Sequence, residues 1–134
     1  PGKPNAKRIR LYIYMHTDIN TTDDIRILVD TFYKRAAKDD LLSPIFSRLA
    51  DTSSQRESLY VYWNEVLLSP APNADKVFPD HIRQMFSPRH FIRWLTLFLE
   101  TIDLLYTGAT AEKAKVMVIR KCEEFQAGLE ITHF

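Results

Sequence analysis

Apolar residues recur at helical spacing through most of this chain. The first clear stripe follows Thr21-Thr22-Asp23-Asp24, where a hydroxyl is followed three residues later by a carboxylate, as in a capping box. The apolar positions after it are three and four residues apart, which is typical of the buried face of a helix. They are Ile25, Leu28, Val29, Phe32, Tyr33 and Ala36. The pattern predicts a helix that begins at this cap.

A second helix is predicted after a short turn. Residues 41 to 50 contain Pro44 and read as a helical turn that carries Ile45, Phe46 and Leu49. The polar residues 51 to 54 then cap a helix, whose predicted buried side consists of Leu59, Tyr62, Trp63, Val66 and Leu67. The prolines and serine of residues 69 to 73 end it, because proline cannot continue a helix. A loop of about ten residues is expected to follow.

The rest of the chain, from Pro79 onward, is predicted to form one short and two long helices. Pro79 can open a short helix that contains His81. Ser87-Pro88 starts a long amphipathic helix with Phe91, Trp94, Leu95, Phe98, Ile102 and Leu105 on its buried face, and Gly108 is expected to end it. The last helix, at about 111 to 129, is predicted to bury Ala114, Val118, Cys122, Phe125 and Leu129.

These patterns predict an all-α domain at 21–134, preceded by residues 1–20 as an N-terminal extension or short leading helix. Within that extension, apolar and polar residues alternate between Ile9 and His16, so a short strand and the end of a helix both remain open. Three glycines among 134 residues are few for a chain with many tight turns, which also favours helices.

Composition narrows the function classes. Because the net charge is only +1, we expect the protein to bind neither nucleic acid nor an anionic membrane surface. No apolar stretch approaches the ~20 residues of a membrane-spanning helix. Cys122 is the only cysteine, so no internal disulfide can form, and a reducing, cytoplasmic location is expected.

Common catalytic motifs are missing from the sequence. It contains no glycine-rich phosphate loop, no paired cysteines, no H-E-x-x-H and no G-x-S-x-G. His81 stands out because it follows a long loop and lies between two long helices with aromatic buried faces. Such faces can form a flat apolar slot, and one histidine facing it can bind haem iron. A solvated or hydrogen-bonded histidine is the commoner role for a single residue of this type.

Four short segments, taken together with His81, form a more specific pattern. They are Leu28-Val-Asp-Thr-Phe-Tyr33, Asp40-Leu-Leu-Ser-Pro-Ile-Phe46, Tyr62-Trp63 with Val66-Leu67-Leu68, and Ser87-Pro-Arg-His-Phe-Ile-Arg-Trp-Leu95. In order and spacing they resemble the truncated haemoglobins of the third group, over roughly residues 22 to 129. The resemblance implies a shortened globin fold, in which two helix pairs cross around a b-type haem.

The resemblance also implies roles for individual residues. His81 matches the proximal iron ligand, Tyr33 and Trp94 match distal hydrogen-bond donors, and Phe46 matches a phenylalanine that packs against the porphyrin. Leu59 and Gln55 fall on the stripe that faces the slot. At the second of these positions the family often has a histidine, so glutamine is a departure: it can donate a hydrogen bond but cannot titrate or ligate iron.

Further contacts with haem are expected from aromatic and basic residues. Phe32, Tyr62 and Trp63 are candidates for haem packing. Core packing is the commoner role for aromatic residues at helical spacing, and for Trp63 the two roles are weighed equally. Lys76 and Arg83, together with Arg89 and Arg93, flank the proximal segment and are candidates to pair with propionates. An ordinary solvated role is the alternative for every one of these basic side chains.

The function implied is a haem protein that binds oxygen, nitric oxide or carbon monoxide at a five-coordinate iron. Redox or detoxification chemistry is expected rather than transport, because several donors would hold a charged ligand tightly. Nitric oxide oxidation and peroxide reduction both remain open as activities, and either needs an external electron donor. Two alternatives remain: a haem-free globin-fold domain that acts as an interaction module, and an unrelated helical domain.

Overall fold

A computed structural model describes residues 16–47, 53–70 and 87–132. The first helix, α1, spans Thr22–Ala36 and begins at the predicted capping box, in which Thr21 Oγ1 accepts from the Asp24 backbone N–H. The Asp24 carboxylate in turn accepts from the Thr21 N–H. All six residues of the predicted stripe are buried. The prediction for α1 is therefore confirmed.

A short helix and a longer one follow. Helix α2 spans Ser43–Ser47, and α3 spans Ser53–Trp63. After Trp63 the helix does not stop but widens into a π-helix at Asn64–Leu68. The five predicted apolar positions of this segment are all buried, as is Tyr60, which the sequence pattern did not single out. The π-helix was not predicted, because its sequence has no distinct periodicity over five residues.

Two long helices complete the described part of the chain. Helix α4 spans Pro88–Leu105 and α5 spans Ala109–Thr132. The predicted stripe of α4 is buried, apart from the partly buried Leu95. The helix ends at Leu105 rather than at Gly108, which lies immediately before α5 with φ +139°. In α5, Ala114, Val118 and Cys122 are buried as predicted, and the side chains of Phe125 and Leu129 lie outside the described set.

The start of the described chain is tied to the beginning of α5. Asp18 accepts hydrogen bonds from the backbone N–H groups of Thr110 and Ala111, at 3.0 and 2.9 Å, and so caps that helix. Burial acts to raise the pKa of Asp18, but these backbone hydrogen bonds outweigh it and lower the pKa below its ordinary value. Residues 16–20 therefore contribute to the structure, while residues 1–15, including the open strand-or-helix prediction, lie outside the described residues.

The helices pack around one apolar core. Helix α1 contacts both α3 and α4, α4 contacts α5, and the π-helix bridges α1 and α5. Across the three described ranges all regular structure is helical, as the all-α prediction requires. None of the helices described is long and apolar enough to cross a lipid bilayer.

Candidate functional site

Six aromatic side chains from four helices meet in the core and form one continuous layer. We call this layer the aromatic wall; its members are Phe32, Tyr33, Phe46, Trp63, Trp94 and Phe98. Phe32 lies at its centre, with ring centroids 5.4 Å from Trp94 and 5.1 Å from Phe98. The wall contains five of the predicted site residues, contributed by α1, α2, α3 and α4: Phe32, Tyr33, Phe46, Trp63 and Trp94. Helical spacing of the apolar residues directs these side chains toward the common core.

Tyr33 lies at one end of the wall. Its ring packs edge-on against Phe32 at 5.9 Å and against Phe46 at 5.3 Å, and only 6% of the residue is exposed. Burial raises the pKa of Tyr33 well above its ordinary value, and the positive charge of Arg56 acts in the opposite direction. The hydroxyl therefore keeps its proton at physiological pH and is available as a hydrogen-bond donor.

Two tryptophans continue the wall across α4 and α3. Trp94 stacks on Phe98 at 5.2 Å, and Trp63 stacks on Phe98 from the other direction at 5.6 Å. Tyr62 meets Trp63 edge-on, and its pKa is raised by burial to about 12. Among the described residues, Trp63 Nε1 is buried without a hydrogen-bond acceptor. Both sequence interpretations of Trp63, core and haem packing, remain compatible with this position.

The predicted gate positions lie on the preceding turns of α3. Leu59 is fully buried and belongs to the core, while Gln55 is half-buried near the start of the helix. The two are four residues apart and so share one side of α3. Their predicted roles toward a ligand stay predictions.

Three predicted residues lie outside the described residues: His81, Lys76 and Arg83. Of the two other basic candidates, Arg89 is exposed. Arg93 instead binds Asp39, through Nε at 2.7 Å and a second guanidinium nitrogen at 2.6 Å.

Asp39 is a structural residue that sequence reasoning missed. Its side chain is only 7% exposed, and it also accepts from the backbone N–H groups of Leu41 and Leu42. Burial acts to raise its pKa, but the hydrogen bonds from Arg93 and from Leu42 dominate and lower it. The carboxylate thereby links the turn before α2 to α4. The contact spans 54 positions, so no local pattern could have revealed it.

A second polar group that sequence reasoning missed lies between α1 and α3. Asp30 Oδ1 accepts a hydrogen bond from the Tyr60 hydroxyl and lies 3.5 Å from an Arg56 guanidinium nitrogen. The Arg26 guanidinium lies over the Tyr60 ring, with its carbon 5.0 Å from the ring centroid. The spacing of four between Arg56 and Tyr60 was the available signal, but it does not identify their partner on α1.

An open groove of about 530 Å³ borders this polar group. Thr22 and Arg26 line it from α1, and Tyr60, Asn64 and Leu68 line it from α3 and the π-helix. None of the residues of the aromatic wall lines it. The groove is therefore separate from the candidate site.

Comparisons with known proteins agree with the resemblance found in the sequence. No family model matches the chain. It is 24% identical over 107 residues to the group 3 truncated hemoglobin ctb of Campylobacter jejuni, an alignment that covers 75% of this chain and 81% of that protein.

The structure comparison extends over more of the chain. The crystal structure of a group III truncated hemoglobin from Campylobacter jejuni matches with a TM-score of 0.69 and 23% identity, covering 86% of this chain and 95% of that one. The expected resemblance to group III truncated haemoglobins and the all-α globin fold are thus confirmed.

Proposed function

We propose that this chain, which has the fold of a group III truncated haemoglobin, is a globin-type haem protein that binds diatomic gases beside the aromatic wall. The observation that carries the proposal is the convergence of Tyr33, Phe46 and Trp94 on one buried aromatic layer. The resemblance assigns Tyr33 and Trp94 to the ligand side of the haem and Phe46 to packing against the porphyrin. An ordinary helical core needs apolar residues there, but it does not need a buried tyrosine hydroxyl and a buried indole N–H on either side of Phe32.

The described residues fit a haem group. A porphyrin is flat and largely apolar, and the wall gathers aromatic side chains from four helices that would pack against it. Trp63 Nε1, which is buried without an acceptor among the described residues, is the kind of donor expected where a further group or segment completes the packing. When bound, haem b supplies an iron that takes up small gases and exchanges electrons.

The residues of the chain have distinct proposed roles. We assign His81 as the single protein ligand of a five-coordinate iron, on the basis of the resemblance. Tyr33 and Trp94 are proposed to donate hydrogen bonds from an apolar surrounding, where such bonds are stronger than in water. Gln55 can add an amide donor but no proton relay, while Leu59, Phe32 and Tyr62 exclude water from the site.

Several buried donors suit a ligand that acquires negative charge, so we propose redox or detoxification chemistry rather than oxygen transport. Nitric oxide oxidation and peroxide reduction are the two candidate reactions, and an external reductase would supply electrons. Arg83 and Lys76 are proposed to pair with the propionates. Arg93 is not used in this way, since Asp39 engages its guanidinium.

Haemin titration tests the proposal. We expect purified protein to bind one equivalent of haemin with a Soret band, and we expect His81→Ala to abolish or strongly shift that band. His90→Ala is the matched control, because His90 lies on α4 and its Nδ1 contacts the Ser87 hydroxyl at 2.7 Å. Wild-type protein that takes up no stoichiometric haem would overturn the proposal and favour a haem-free interaction module. An unchanged spectrum in His81→Ala would reject the assigned ligand.

A further inference from the structure

The polar group between α1 and α3 places a cation close to the candidate site. Arg56 and Tyr60 are one helical turn apart on α3, and both reach Asp30 on α1. Asp30 and Tyr33 are in turn three residues apart on α1, so their side chains are neighbours on that helix. The Arg56 guanidinium is thereby held at the contact between the two helices, beside the Tyr33 end of the aromatic wall.

The charge of Arg56 is only partly neutralised by this arrangement. Asp30 is shared between two donors, and its distance of 3.5 Å from Arg56 is longer than a close ion pair. Arg56 Nε is buried and has no hydrogen-bond acceptor among the described residues. A buried guanidinium N–H without an acceptor retains its capacity to stabilise negative charge nearby.

The influence of this charge reaches Tyr33. Burial is the main reason that the pKa of Tyr33 is raised; the positive charge of Arg56 acts to lower that pKa, and Tyr60 acts to raise it. Any negatively charged ligand held by the Tyr33 hydroxyl would experience the same field. A neutral ligand at the same place would gain far less energy from that field, because a charge interacts much more strongly with another charge than with a weak dipole.

We propose that Asp30, Arg56 and Tyr60 form an electrostatic cluster that makes the Tyr33 side of the site selective for anionic ligands over neutral ones. The cluster acts through the field at Tyr33, so its members are positioning residues and not catalytic ones. Arg56 supplies the attraction, and the Asp30 carboxylate, held by Tyr60, limits it. This inference rests on the proposed haem function and names the class of ligand that the same site favours.

Azide and carbon monoxide form the test pair, because one is an anion and the other is neutral. In haem-loaded protein, Arg56→Gln is expected to weaken azide binding to the ferric form roughly three- to tenfold, allowing for partial exposure and salt screening. Arg56→Lys should retain most of the affinity. Asp30→Asn should strengthen azide binding, since it removes the opposing charge. Carbon monoxide affinity of the ferrous form should stay within about twofold for all three variants.

Arg120→Gln is the matched control for charge, because Arg120 is exposed on α5; we expect it to leave both affinities unchanged. The proposal is overturned if Arg56→Gln and Asp30→Asn shift azide affinity in the same direction. It is equally overturned if carbon monoxide affinity changes in parallel with azide affinity, since the variants then act by disturbing packing.

A second readout does not depend on haem. Ring fluorination lowers the phenol pKa, so trifluorotyrosine incorporated at position 33 ionises at lower pH than tyrosine, and its pKa can be followed spectroscopically in the protein as purified. We expect Arg56→Gln to raise that pKa and Asp30→Asn to lower it. If haem is not taken up, the proposed function fails while this titration still decides whether the cluster sets the field at Tyr33. An unchanged pKa in both variants would refute the cluster.

Discussion

A single methyl group added at Gly108 should strongly reduce the free energy of unfolding. The φ of this glycine, +139°, lies in a region that L side chains rarely adopt, and a Cβ added there would lie 2.5 Å from Asp18 Cγ and 2.7 Å from Asp18 Cβ. Asp18 cannot retreat easily, because its carboxylate caps α5 through Thr110 and Ala111. Gly108→Ala must therefore strain the backbone and displace the cap together.

The size of the effect follows from these two contributions. A residue other than glycine held in such a backbone region costs about 1–3 kcal/mol, and loss of an N-cap costs about 1 kcal/mol. We expect Gly108→Ala to lower the free energy of unfolding by about 3 kcal/mol. Urea denaturation followed by circular dichroism measures this, with the slope of the transition as the check that the folded state is otherwise intact.

A double-mutant cycle with Asp18→Ala separates the two contributions. In the Asp18→Ala background the cap is already absent, so Gly108→Ala should cost about 1 kcal/mol less than in wild type. A loss below about 1 kcal/mol for the single variant would refute the argument from backbone conformation. Strict additivity of the two substitutions would refute the coupling between Gly108 and the cap.

Three further predictions concern the site and its support. Because the Asp39 pKa is lowered in the folded state, the stability that this carboxylate contributes is complete above the ordinary aspartate pKa of about 4 and is lost as the pH falls through the lowered value. Asp39→Asn should lower the free energy of unfolding by about 1–2 kcal/mol at neutral pH. Between pH 7 and pH 3, the urea midpoint should fall less for the variant than for wild type. Phe98→Ala should destabilise by about 3–5 kcal/mol, since Phe98 is fully buried and contacts Phe32, Trp63 and Trp94; a thermal or urea midpoint close to wild type would contradict its central place in the aromatic wall. In haem-loaded protein, Tyr33→Phe should accelerate oxygen dissociation roughly tenfold, as expected for loss of one hydrogen bond to a partly charged ligand. Stopped-flow mixing measures this rate, and an unchanged rate would disprove the role assigned to Tyr33.

Local physical chemistry explains why much of the fold could be predicted from the sequence. The capping box at Thr21 and Asp24 and the stripe that includes Phe32 are properties of a single segment, since capping and helical periodicity act within a few residues. The burial of Cys122 could likewise be predicted from the helical periodicity of its own segment. Burial raises the pKa of its thiol to about 12. The resemblance across the four quoted segments then identified the globin fold, which the comparisons confirm.

The remaining features depend on contacts between residues far apart in the chain. The sequence made Arg93 a candidate to pair with a haem propionate. In the structure α4 packs against the turn before α2, and Arg93 pairs with Asp39 instead. The pairing of Arg56 with Asp30 and the approach of Asp18 to Gly108 likewise exist only because particular helices meet at particular points. The sequence by itself determined the α-helices, their buried faces and the aromatic content of the core, but not the π-helix at Asn64–Leu68. Only the tertiary structure decided which charges are paired and which charge lies beside Tyr33, because electrostatic interactions depend on distances that helix packing sets.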